Sequence, residues 1–202
     1  MTIEWTTPGP PRYLTGDEAF IGMPGNVADF WRFALGDLRM NNARGYFAEY
    51  LVARALEIPD PRRVEWDAYD VRYGAISIEV KCSAYLQAWE QKSVSQLNFS
   101  GLRARTWTPR GGESAEATYN GDVYVFCIEA ARTHDAYDPL DLGQWQFAVL
   151  SRSRVAATGY RSISWPTVIK IAGGEQLAWR DLREAITRAA AENVAQGPDT
   201  ES

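Results

Sequence analysis

Histidine and cysteine are scarce in this chain: its 202 residues include one histidine, His134, and two cysteines, Cys82 and Cys127. A tetrahedral zinc site draws most of its ligands from those two residue types, and a Ser-His-Asp triad needs a histidine set among partners. His134 stands in the loop-like stretch Thr133-His134-Asp135-Ala136-Tyr137-Asp138-Pro139, which leaves both chemistries almost without material. The cysteines lie singly in apolar, strand-like runs, so they read as small core residues and not as a secreted disulfide framework. Long apolar runs are missing as well. No stretch approaches the roughly 18–20 residues that span a bilayer, and the opening Thr2–Pro11 lacks the basic-then-apolar pattern of a leader. A cytoplasmic protein with no membrane partner is therefore expected. Positive charge is also in deficit: 21 Lys and Arg against 26 Asp and Glu leave a formal net charge of −5, the opposite of the basic footprint common in nucleic-acid binders.

The hydrophobic content of 46% is enough for one domain with a sizeable core. Residues 1–26, rich in Pro and Gly, read as a segment wrapping the surface; residues 27–195 read as the domain; residues 196–202 read as a disordered tail. Periodicity predicts helices near 27–38, over 42–56, over a short 151–157 and over 174–193. It predicts strands at 93–102, 122–129, 144–150 and 167–171 besides the hairpin described next. The expected fold class is α/β (α+β), a mixed central sheet of five to six strands flanked by helices.

The most informative stretch is Ala75-Ile76-Ser77-Ile78-Glu79-Val80-Lys81-Cys82. Side chains two apart on a strand share a face, so Ile76, Ile78, Val80 and Cys82 point toward a core while Glu79 and Lys81 stand side by side on the other face. Upstream, Val71-Arg72-Tyr73-Gly74-Ala75 reads as a hairpin connection turning at Gly74. A two-residue Gly74-Ala75 loop places Asp70 directly opposite Glu79, at a Cβ separation of about 4.5–5.5 Å. Two carboxylates that close repel unless a cation or a proton intervenes, and hard oxygen ligands suit Mg²⁺. Lys81 beside them suits stabilisation of charge on a phosphate or, if its pKa is lowered, help in deprotonating an attacking water. The bland alternative is a surface Glu-Lys pair beside a turn aspartate, of small energetic value.

Asp70, eight residues, then Glu79-Val80-Lys81 resembles the D-x(n)-E-x-K core of the PD-(D/E)xK nuclease superfamily, with Tyr69 where the name's proline would stand. Members often supply a further glutamate from a helix preceding the hairpin. That position falls on Glu49, at the border of the apolar stripe formed by Phe47, Leu51, Val52, Ala55 and Leu56, with Asn41 or Asn42 as helix cap. The resemblance implies a restriction-endonuclease-like fold and a Mg²⁺-dependent endonuclease acting on DNA, with Mn²⁺ able to substitute. It implies Asp70, Glu79 and the Val80 backbone carbonyl as metal ligands, Lys81 as the water-activating or electrostatic residue, and Glu49 as an auxiliary carboxylate. Ser83 and Gln87 are candidate supporting groups. Arg44, Lys92, Arg103, Arg105 and Arg110 are candidate nucleic-acid contacts, read alternatively as a solvated face. A homodimer, and a protein partner in a defence or repair system, are further expectations. Three other readings stay open: a catalytically silent binding or assembly module, an RNA-cleaving enzyme, and a resolvase or repair nuclease.

Overall fold

A computed structural model describes residues 9, 11–63, 68–108 and 112–195; the expected tail at 196–202 and Arg110 lie outside them. The chain divides into two compact units, Met1–Asp37 and Leu38–Ser202. In the first, helix α1 (Val27–Leu35) starts from a reciprocal cap: the Asp29 N–H donates to Asn26 Oδ1 and the Asn26 N–H donates to Asp29 Oδ2, each at 3.0 Å. It stops at Gly36, short of the expected 38.

The second unit opens with α2 (Asn41–Ala55). Met40 occupies the cap position with no side-chain bond, and Asn41, expected as the cap, instead accepts from Arg44 through Oδ1 at 2.5 Å. The helix closes on a Schellman-type turn, with the Ile58 N–H donating to the Ala53 carbonyl at 3.1 Å and Glu57 in the left-handed region at φ +54. Next come β1 (Val71–Tyr73), β2 (Ile76–Ala84), β3 (Asn98–Ser100), β4 (Trp107–Thr108), β5 (Gly112–Glu113) and β6 (Val123–Glu129). The chain continues through β7 (Trp145–Ser151), α3 (Arg152–Ala156), β8 (Ser162–Ser164), α4 (Trp165–Ile171) and α5 (Leu182–Ala195).

The main sheet has the order β1-β2-β6-β7, with β2 and β6 parallel and the outer pairs antiparallel. Strand alternation sorts its side chains into two cores. Ile78, Val80, Val123, Val125 and Cys127 pack with Leu51 and Val52 of α2 and with Leu182 and Ile186 of α5. On the opposite face Tyr124, Phe126 and Ile128 pack with Phe99, Ile163 and Val168. Every residue of β6 is buried, as its continuous apolar run predicts for a strand covered on both faces.

The protein is thus a mixed α+β structure, with fewer strands in its main sheet than the expected five to six. Of residues 93–102 only Asn98–Ser100 forms a strand, and it pairs with β8 in a separate two-stranded ribbon. Residues 167–171, expected as a strand from their β-branched run, lie in α4. Pro166 fits the first turn of a helix, where no intrahelical N–H is needed, and Val168 is buried against the sheet. The expected helix over 174–193 begins only at Leu182, because Gly173 and Gly174 take φ +74 and +88 and Leu177 exchanges backbone bonds with Phe147. Among the described residues no helix is long and apolar enough to cross a membrane.

Candidate active site

The hairpin turns on Gly74-Ala75, with Gly74 at φ +58, the first-position conformation that favours glycine in tight two-residue turns. Its register pairs Tyr73 with Ile76 and Val71 with Ile78, so its continuation brings Asp70 opposite Glu79. β1 ends at Val71, and Asp70 finishes the pairing differently at each end of the residue. Its N–H donates to the Ile78 carbonyl at 3.0 Å, while its Oδ2 accepts the Val80 N–H at 2.8 Å. Alternation along β2 turns the Val80 carbonyl to the same edge as its N–H.

Glu79 and Lys81 occupy the face that β2 shares with Tyr124 and Phe126 of β6. The Lys81 ammonium donates to Glu79 Oε1 at 2.6 Å, and the two side chains are only 18% and 15% exposed. Two glycines make room for them. A Cβ on Gly121 would lie 2.9 Å from the Glu79 Cβ, so only glycine allows the approach to β6 at that point. Gly101, at φ +67, comes beside the Lys81 ammonium. The placement of Gly121 is held by Asp122, whose Oδ2 accepts the Ser77 N–H at 3.0 Å and the Ser77 hydroxyl at 2.7 Å.

Glu49 projects from α2 and accepts from Arg63 Nε at 2.9 Å, and the Arg63 guanidinium also lies 4.5 Å from the centre of the Tyr46 ring. Burial raises the Glu49 carboxyl to about 7; the negative charges of Asp70 and Glu79 add to the rise and Arg63 opposes it. Asp70 is raised by burial, against the Val80 N–H and the charges of Lys81 and Arg63. Glu79 is raised by burial and by Asp70, against Lys81. Three half-desolvated carboxylates therefore sense one another around two cations.

Asp70 and Glu79 each commit one oxygen to these bonds and keep a second that the bonds do not need. Among the described residues no group of three or more His, Cys, Asp or Glu side chains is gathered as a metal cluster. The donor set is smaller: two carboxylates and the Val80 carbonyl. Hard oxygens in that number fit Mg²⁺, which typically takes one or two protein carboxylates and fills its remaining positions with water and phosphate oxygens.

The remaining candidates fall elsewhere. Arg44 is buried, and its guanidinium donates to the Arg39 carbonyl at 2.8 Å, to Asn41 and to Gln87, so it braces the fold and does not face a nucleic-acid backbone. Gln87 is buried too and donates to the Ala84 carbonyl and Ser95, holding the turn that follows β2. Ser83 is buried on β2, past Lys81. Arg103 is committed to the Tyr119 ring at 4.8 Å, whereas Lys92 and Arg105 are exposed. Sequence reasoning missed Arg63, Tyr46, Gly121 and Asp122. The Arg62-Arg63 pair a few residues before Asp70 was the one local signal for the first of these. Comparison with protein-family models, with curated proteins and with solved structures finds no match.

Proposed function

We propose that the chain is a metal-dependent endonuclease that hydrolyses phosphodiester bonds in DNA, with the restriction-endonuclease-like fold and PD-(D/E)xK site that its motif resembles. One observation carries the reading: Asp70, Glu79 and Lys81 meet at one partly buried edge, where burial raises both carboxylates and one ammonium stands against them. A site of that kind costs stability and suits function better than structure.

Asp70, Glu79 and the Val80 carbonyl would hold Mg²⁺, or Mn²⁺ in its place. Bound there, the ion supplies an acidified water and screens phosphate charge. Lys81, whose ammonium bonds Glu79, would donate to a scissile-phosphate oxygen, or, in its neutral amine form alone, take the proton of the attacking water. Glu49 would be the auxiliary carboxylate beside them, its carboxyl raised by burial to about 7 in the absence of metal. A cytoplasmic restriction or defence role, and a symmetric dimer cutting both strands, belong to the same proposal.

The net charge of −5 favours a second reading, a nuclease-fold module that binds without turnover. Incubation of DNA and RNA substrates with Mg²⁺, Mn²⁺ or EDTA separates the two, using wild type and Lys81→Ala purified in parallel. Metal-dependent DNA cutting lost in the variant supports the enzyme. Cutting of RNA alone moves the substrate, and no cutting, or equal cutting by both proteins, rejects the proposed site.

A further inference from the structure

A cavity of about 140 Å³ opens beside the carboxylates, between α2 and the start of β1, and it includes both Glu49 and Asp70 in its lining. Besides Arg62 and Arg63, its other walls are apolar or aromatic. Tyr46 and Tyr50, residues 38% and 49% exposed and one turn apart on the same side of α2, line it, and Pro61 contributes a third surface. Val71, buried, backs the cavity. Arg63 completes it with a planar cation that already stacks over Tyr46 while bonded to Glu49.

We propose that this pocket receives the unpaired base of a nucleotide flanking the cleaved phosphate, so that the substrate is a single-stranded or frayed DNA tail and not a fully paired duplex. The inference rests on the nuclease reading above. A base paired within a duplex keeps its faces stacked on its neighbours and cannot enter a pocket walled by tyrosines; an unpaired one can. Aromatic rings and guanidinium planes are the surfaces on which proteins stack single-stranded bases, and such stacking is tolerant of sequence. Asp70 belongs to the proposed site and lines the cavity together with Glu49, so the pocket adjoins the place proposed for the cleaved phosphate. Arg63 then offers its charge to the backbone.

Charge argues the same way. Duplex binders gain affinity by neutralising many phosphates, and a net charge of −5 works against that overall. Stacking in one pocket supplies affinity without it.

The test is cleavage of three DNAs in Mg²⁺: a blunt duplex, the same duplex with a single-stranded tail, and tailed duplexes with one abasic position moved through the tail. We expect the tailed DNA to be cut faster than the blunt one. An abasic residue at one position next to the cut should lower kcat/KM about 5- to 150-fold, the range set by loss of one aromatic stack. Tyr46→Ala should lose a similar factor on the intact tail and nothing more on that abasic substrate, while Tyr46→Phe keeps wild-type rates. The abasic scan uses the wild-type protein, so it reads the pocket even where Tyr46→Ala folds poorly. Equal cutting of blunt and tailed DNA, or indifference to the abasic residue at every position, overturns the pocket and leaves the nuclease standing. No metal-dependent cutting of any DNA overturns the nuclease reading and this inference with it.

Discussion

Two sets of charged groups sit on or beside β2 and β6, and they are assembled by opposite rules. Beyond β2, Arg44 of α2 is buried and donates from its two terminal nitrogens to a backbone carbonyl, an asparagine and a glutamine, with Glu129 of β6 accepting the Ala131 N–H at 3.0 Å. Fixed hydrogen-bond partners hold Arg44, whose charge opposes the rise that burial gives Glu129, and the set does the work of a brace. At the edge beyond β1, Glu79 is paired with Lys81 and Glu49 with Arg63, Asp70 is near enough to feel both cations, and all three carboxylates are pushed upward. Burial of charge is common to both places, so burial alone does not mark a site. A group of neighbouring carboxylates that stay raised despite their ion pairs, beside an open cavity, does, because a proton or a cation from outside can relieve the repulsion that Lys81 and Arg63 leave.

The comparison breaks most sharply at Lys81. Lys81→Ala should lower Mg²⁺-dependent DNA cleavage by about 100- to 1,000-fold, the usual loss on removing one charge-stabilising donor, with circular dichroism unchanged. Arg44→Ala should do the reverse. Removing a buried cation from carbonyl and amide partners is expected to cost about 2–4 kcal/mol in urea unfolding, with little change in kcat for whatever fraction remains folded. A variant that loses activity but no stability would place Arg44 with the site and erase the distinction.

A subtler test uses pH on the protein without metal. Glu49 lies near 7 when folded and at its ordinary 4.5 when unfolded, so between those values the folded chain binds a proton that the unfolded chain has released. Stability should therefore fall as pH rises through about 4.5 to 7. Glu49→Gln removes that loss: the variant should match wild type below pH 4.5 and exceed it at pH 8 by on the order of 1–3 kcal/mol, read as urea midpoints at the two pH values. The smallest effect is that of the cation itself. Mg²⁺ at ten times its dissociation constant should raise stability by about 1.4 kcal/mol, a shift of a few degrees in Tm, and Asp70→Asn should abolish the rise.

What was legible in the sequence is what depends on neighbours in the chain. The alternation of Ile76, Ile78 and Val80 and the single glycine at 74 suffice to define the hairpin, its register and the meeting of Asp70 with Glu79, because pleat and turn are local geometry. The apolar run of β6 and the helical stripe of α2 were readable for the same reason. Tertiary structure decided the rest. Val168 and Ile169 have strand-like side chains, yet a proline in the first turn and burial against the second core make their segment a helix, since packing outweighs a propensity difference of less than 1 kcal/mol. Arg44 reads as a free cation in the sequence and is a buried brace, because Gln87 reaches it from 43 residues away. Arg63 joins Glu49 across 14 residues, and Gly121 must be glycine only because β6 passes close to Glu79. The carboxylates and the lysine are set out by the strand itself, but the cations, the glycine and the tyrosine-walled cavity around them exist only once distant segments pack, and no local pattern encodes which those segments are.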